Sequence, residues 1–306
     1  MFVFIIRRLL QLVPVLFGVT LVVFLIMQMV PGDPAVLLAG ESATPEQVEL
    51  LRHKLGLDQP LMVQYANYMG GVLQGDLGTS IRSNRPVLDE IMVRFPITFQ
   101  LALASIFVTV VLGVFAGIIS ATKQYSFSDI SIMIIALLGV SLPNFWLGLM
   151  LILLFSVKFL IFPVAGWGTL MHVVLPAITL GTGGAAIVAR MTRSSMLEVI
   201  RQDYIRTAKA KGVKQKVIIY KHALKNALIP VITVVGLQFG ALLGGTVLTE
   251  SVFAINGLGR FIIDSIRMRD FPAVQGSILI VSIIFVLVNL TVDISYRFLN
   301  KRIDLN

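Results

Sequence analysis

Three histidines, His53, His172 and His222, and one carboxylate set inside an apolar run, Asp293, are the residues of this 306-residue chain closest to catalytic chemistry. A hydrolytic zinc site pairs histidines one helical turn apart beside a glutamate. The three histidines stand isolated, without an H-E-x-x-H or a nearby carboxylate pair, so each is read as structural and no metal is expected. Cysteine is absent, which excludes thiol nucleophiles, disulfides and thiolate metal ligands. Ion-coupled transport needs ionisable groups near mid-membrane. Asp293 lies close to the end of its run, with Arg297 one helical turn away, and such a pair reaches the interface. No inverted repeat is evident, so a secondary transporter or channel is the weaker alternative. No G-x-x-x-x-G-K-[ST] phosphate loop occurs, so ATP chemistry must come from another chain. The chain is read as no enzyme and as binding no cofactor of its own.

The elements that position these residues are apolar runs. The chain is 57% hydrophobic and only 13% charged, against about 25% charged in soluble domains. Six runs, at about 9–30, 97–121, 130–157, 171–189, 228–249 and 276–296, each approach the roughly 20 residues that cross a hydrocarbon core of about 30 Å. The first exceeds a signal-peptide core and no A-x-A site follows it, so it is read as a retained span. The expected architecture is all-α integral membrane with six spans. Pro14 and Pro143 predict kinks, and Gly236, Gly240 and Gly244 form a small-residue stripe for close helix approach. Ser141, Asn144, Gln238, Thr246 and Asn289 are the polar residues within runs that could line a pathway or bridge helices.

Charge sets the orientation. With the N-terminus inside, inner segments hold 16 Lys and Arg against five Asp and Glu, and outer segments hold nine against 11. By the positive-inside rule both termini face the cytoplasm. This asymmetry also accounts for the net +9, and no nucleic-acid partner is implied. Three parts follow: 1–30 with the first span, an extracytoplasmic helical segment 31–96, and a five-span core 97–306. In the outer segment, Thr44-Pro45-Glu46-Gln47 predicts a capped helix start and Gly56 a stop, with Val48, Leu51 and Leu55 on one face. Pro86 predicts a second helix with Leu88, Ile91, Met92 and Phe95 on one face.

The cytoplasmic segment 190–226 carries ten Lys or Arg and two acids. Met196, Ile200 and Tyr204 recur every four residues, Gly212 interrupts, and Val217, Tyr220, Leu224 and Leu228 resume helical spacing. A loop needed only for charge requires no apolar faces. A protein surface or the lipid interface packs on it.

The stretch Asp203-Tyr204-Ile205-Arg206-Thr207-Ala208-Lys209-Ala210-Lys211-Gly212, followed by His222-Ala223-Leu224-Lys225-Asn226-Ala227-Leu228-Ile229-Pro230, closely resembles the cytoplasmic loop of ABC-importer permeases of the dipeptide, oligopeptide and nickel subfamily. So do Arg7-Arg8-Leu9-Leu10, Pro31-Gly32-Asp33-Pro34, Leu55-Gly56-Leu57-Asp58-Gln59-Pro60-Leu61, Gly75-Asp76-Leu77-Gly78, and the block from Glu250-Ser251-Val252-Phe253 to Gly257-Leu258-Gly259-Arg260. The resemblance covers the whole chain. It implies a type I importer subunit in a bacterial inner (plasma) membrane, working with a second homologous permease and two cytoplasmic ABC ATPases that carry ATP and Mg. An extracytoplasmic binding protein delivers short peptides, glutathione, nickel chelates or another small solute. ATPase coupling is assigned by the resemblance to Asp203, Tyr204, Arg206, Thr207, Ala208, Lys209, Ala210, Lys211 and Gly212. The family's Glu-Ala-Ala becomes Arg206-Thr207-Ala208 here, and the next proline, Pro230, lies 18 residues past Gly212.

Overall fold

The structure, a computed structural model, describes residues 2–29, 32–40 and 43–299, with side chains throughout except at 2–9, 37, 38, 245, 293 and 295–299. Helices make up nearly all of it. In chain order they are α1 (Phe2–Met29), α2 (Pro34–Ala39), α3 (Pro45–Lys54), α4 (Leu61–Leu73), α5 (Val87–Thr122), α6 (Phe127–Ser141), α7 (Asn144–Leu151), which runs on as a π-helical stretch Ile152–Lys158, and α8 (Leu170–Ile200). Then come α9 (Asp203–Ala210), α10 (Gln215–Val217) continued by a π-helical Ile218–Ala223 into α11 (Leu224–Gly245), α12 (Val247–Val252), α13 (Leu258–Arg267) and α14 (Phe271–Leu299).

Among the described residues five helices are long and apolar enough to cross a membrane, giving up to six spans if α6 and the α7 stretch form one broken span bent by 104°. The expected kink at Pro143 is therefore a break. Proline disfavours helical geometry in the residue before it, and Leu142 is extended (φ −78°, ψ 129°). The run expected at 171–189 is a longer helix ending at Ile200, since nothing between 190 and 200 interrupts it. The helix expected at Pro86 is the first turns of α5. Its buried apolar residues are Val87 and Ile91, while Leu88 and Met92 are 39% and 64% exposed, so the face is turned by about one residue. α2, α4, α12 and α13 are additional to the sequence expectations.

The chain divides into two compact units. The first comprises the described residues up to Ile97 with Gly257–Val286. Its apolar core gathers Leu77, Val87, Ile91, Leu258, Ala273 and Leu279. α4 docks on α1 through Tyr65, whose hydroxyl lies 3.0 Å from Thr20 Oγ1 and whose ring meets Phe17 and Phe24 edge-on. Asp270 caps α14, accepting from the Ala273 amide at 3.2 Å and from Ser80 Oγ at 2.5 Å. α3 has the expected capping box, with Thr44 Oγ1 accepting from the Gln47 amide and Gln47 Oε1 accepting from the Thr44 amide. It ends as Gly56 predicts. Gly56 is left-handed (φ +67°), and the Gly56 and Leu57 amides donate to the carbonyls of His53 and Arg52, the paired bonds of a Schellman cap.

His53 Nδ1 lies 2.6 Å from Asp58 Oδ2. That hydrogen bond, with the carboxylate's charge, raises the His53 pKa above 6.5, and the same bond holds Asp58 below 3.8. The sign follows from linkage. The histidine's contribution is complete below pH 6.5 and is lost as pH rises through its folded pKa. The aspartate's is present above pH 3.8 and is lost as pH falls. An NMR titration should find His53 titrating above 6.5 in the wild type and returning toward 6.5 in Asp58→Asn. An unchanged value in the variant contradicts the pairing.

The second unit comprises Thr98–Asn256 and the described residues from Leu287 onward. Here α8 packs against α6, α7, α11 and α12. It also approaches α5 closely, because both helices present glycine. A Cβ on Gly113 would sit 2.7 Å from Val188 Cβ, and one on Gly181 2.8 Å from the Ser105 carbonyl oxygen. Thr109 Oγ1 donates to the Gly181 carbonyl at 3.0 Å. Such backbone proximity holds helices together in lipid, where apolar burial between helices contributes little. In the expected glycine stripe, Gly236 abuts Val292, while Gly244 faces open space.

Candidate functional site

The segment 190–226 folds as a helical hairpin end. α8 stops at Ile200, Arg201 and Gln202 turn the chain, and α9 follows. At eight residues α9 is too short to persist alone in water. Two features hold it. Ile205 is fully buried in a cluster with Ala121, Met196, Ile218, Ala223 and Ala227, which contributes about 1.5–3 kcal/mol for one such side chain. At the other end Gly212 is left-handed (φ +74°), the Gly212 amide donates to the Lys209 carbonyl at 3.0 Å and the Val213 amide to Ala208 at 3.2 Å. This is a second Schellman cap, and its usual apolar contact is present because Ala208 and Val213 both pack on the cluster.

The buried register differs from the expected one. Tyr204 is 45% exposed, and its hydroxyl accepts from Asn226 Nδ2 at 2.7 Å, pinning α9 to the start of α11. The turn at Arg201-Gln202 interrupts the phase that Met196, Ile200 and Tyr204 suggest, so Ile205 takes the inward position. Likewise Ile218 and Ala223 are buried while Val217 and Tyr220 are exposed. Asp203, Arg206, Thr207, Lys209, Ala210, Lys211 and Gly212 all lie exposed and Ala208 half-buried. Arg206 approaches Asp203 at 3.5 Å, an exposed pair of little energetic weight. α9 thus offers a basic outer face on an apolar anchor.

The pathway candidates lie on α6, α7, α11 and α14, with Thr246 between α11 and α12. Ser141 and Asn144 flank the α6–α7 break, and Ser141 Oγ donates to the Leu137 carbonyl at 2.9 Å. Gln238 and Asn289 are half-buried. Thr246 is fully buried and donates to Glu250 Oε1 at 2.9 Å, which also accepts from Thr98 Oγ1 at 2.7 Å. Glu250, 0% exposed, was not foreseen as buried; its position in the run Leu248-Thr249-Glu250-Ser251-Val252-Phe253 was the available signal. Asp129 is a second acid missed as buried. It accepts from Arg193 Nε at 2.8 Å and Nη2 at 2.7 Å, from Ser120 Oγ and from the Tyr125 amide at 3.0 Å, tying α6 to the base of α8. Asp293 and Arg297 lie outside the described side chains.

Two family profiles cover nearly all of the chain: residues 113–305 match the binding-protein-dependent transport system inner membrane component and residues 1–102 its N-terminal membrane component. The chain belongs to this permease family. It is an ABC importer permease component of a bacterial inner membrane, in a family that works with ATPase and binding-protein partners. It is 47% identical to the dipeptide transport system permease protein DppB of Alkalihalophilus pseudofirmus, across 97% of this permease and 98% of that protein. It is 48% identical to the glutathione transport system permease protein GsiC of Escherichia coli O6:H1, across 98% of each. The inward-facing MetNI methionine ABC transporter matches in fold with a TM-score of 0.60 at 20% identity, over 70% of this permease and 97% of that chain.

Proposed function

We propose that this permease pairs with a second, homologous permease subunit to enclose a path for short peptides. Two cytoplasmic ABC ATPases, carrying the ATP and Mg, engage α9 from Asp203 to Gly212, and an extracytoplasmic binding protein delivers the substrate on the face bearing residues 32–86. The chain itself performs no catalysis. The observation that carries the coupling role is the geometry of α9, a helix too short to stand alone that is anchored by Ile205, capped at Gly212 and presents a basic face outward. Its side of the membrane follows from the inner excess of Lys and Arg. Closure of the ATPase pair moves α9, and α8 and α11, joined to it through the shared apolar cluster, carry that motion toward the spans.

Dipeptides are the first substrate, on the likeness to DppB. Glutathione is the second reading, favoured by the equal likeness to GsiC. Nickel chelates and other small solutes stand behind them. The test is purification of the tagged chain followed by uptake in proteoliposomes with its binding protein. Two ATPases and a second permease should co-purify, and ATP-dependent accumulation of labelled dipeptide should be displaced by unlabelled dipeptide more strongly than by glutathione. The reverse order transfers the assignment to glutathione. Accumulation by the chain alone, without ATP, overturns the reading.

A further inference from the structure

Within the first unit a cavity of about 330 Å³ opens between α1, α4, the 76–81 loop and the start of α14, at the small end of ligand pockets, roughly 300–1,000 Å³. Its walls include Phe24 and Phe271, and its polar groups include Asn67, Tyr68, Asp76 and Gln275. Among the described residues no Lys, Arg or His lines it. Gln275 decides its character. It is 9% exposed, lines the cavity, and makes no side-chain hydrogen bond to any described residue. Its amide atoms are not sealed off from the cavity, so a ligand entering there meets a primary amide that can both donate and accept. Asp76 uses Oδ1 to accept from the Gly78 amide at 2.8 Å, and Oδ2 is left for another donor. Asn67 Nδ2 is engaged by Gln59, so its carbonyl oxygen is the group on offer. Burial pushes the Tyr68 phenol up to about 12, which keeps it neutral.

We propose that this cavity binds the amino-terminal end of a free short peptide, with the α-ammonium on Asp76 and the first peptide group on the Gln275 amide. The aromatic walls take the first side chain. With no cation among the described lining residues, the peptide carboxylate stays in water, so the site selects for the amino end. A dipeptide and glutathione share that end. The inference rests on the peptide reading above and adds a substrate site on the permease, separate from the binding protein.

The experiment uses the full permease complex in nanodiscs, without binding protein, and alanyl-phenylalanine as probe by saturation-transfer NMR. The dipeptide should give transfer. Its N-acetyl form should bind about two- to fivefold weaker, the loss of a charge pair on an exposed carboxylate. Asp76→Asn, which keeps the acceptor for Gly78, should weaken the dipeptide comparably, and Gln275→Leu should weaken both probes. Equal binding of the free and acetylated peptides to the wild type overturns the site without relying on any variant. No transfer while uptake with binding protein remains intact also overturns it and leaves the peptide reading standing. Absence of peptide uptake by the complete system sinks the peptide reading itself.

Discussion

Asp129→Ala should destabilise the permease by about 3–5 kcal/mol, the range for removing one partner of a buried ion pair. Asp129 is 4% exposed and accepts both nitrogens of one Arg193 edge, while Arg193 keeps 25% of its side-chain surface in solvent. That partial exposure places the expected loss at the lower end of the range. The cost does not come from a lost attraction alone. It comes from leaving a guanidinium among packed helices with no counterion, and from Ser120 Oγ and the Tyr125 amide losing their acceptor. The double variant Asp129→Leu/Arg193→Met separates these causes. Removing both charges for apolar groups of similar size is near neutral where the pair is buried, so the double variant should recover most of the melting temperature that the single one loses. Arg193→Lys should fall between them, because an ammonium cannot reproduce the two-bond fork. Thermal melts of the nanodisc-held complex decide it. A single variant as stable as wild type contradicts the account, and so does a double variant no better than the single.

The spans were legible because lipid leaves little choice: a run of about 20 apolar residues must be helical to satisfy its own backbone. What the runs could not show is where partners lie. Pro143 announces a disturbance, but its size depends on Leu142 being forced extended and on α7 finding α8, Val252 and Phe253 to pack on. Arg190 and Arg193 read as the end of the fourth span, yet α8 continues to Ile200, since arginine is a good helix former, and Arg193 finds its counterion in Asp129, 64 residues earlier. Glu250 looks like a loop acid until Thr98 and Thr246 are brought to it. At the coupling segment, the motif and the glycine were legible and the buried register was not. A four-residue spacing counted across the turn at Arg201-Gln202 loses phase, and tyrosine counts as apolar in such a tally although its hydroxyl seeks a partner, here Asn226. The α5–α8 contact was hidden for a different reason. Gly113 and Gly117 meet Val188 and Thr192 across two helices, so neither helix alone advertises the match.

Gly212→Pro should leave membrane insertion and ATP hydrolysis in place and abolish most ATP-dependent uptake. Space is not the issue, since a Cβ at Gly212 meets nothing within 4 Å. The backbone is the issue. Gly212 sits at φ +74°, whereas proline is locked near −65° and has no amide hydrogen to donate to the Lys209 carbonyl. The cap opens, and with it the contact of Val213 on the cluster that seats α9. Gly212→Ala provides the graded case: a left-handed non-glycine residue costs about 1–2 kcal/mol, so uptake per ATP hydrolysed should fall roughly tenfold if that whole cost is drawn from the seated state. Ile205→Ala attacks the other anchor, and loss of a buried isoleucine costs about 2–5 kcal/mol. It should mimic Gly212→Pro while leaving every exposed residue of α9 unchanged. That pairing is the informative part. If the basic outer face alone mattered, through charge against the ATPase or the lipid surface, both variants would transport normally. If a rigidly seated lever matters, both fail with their charges intact. Scrambling residues 203–212 supplies the final control, since unchanged ATP-dependent uptake by that chain would remove α9 from the mechanism altogether.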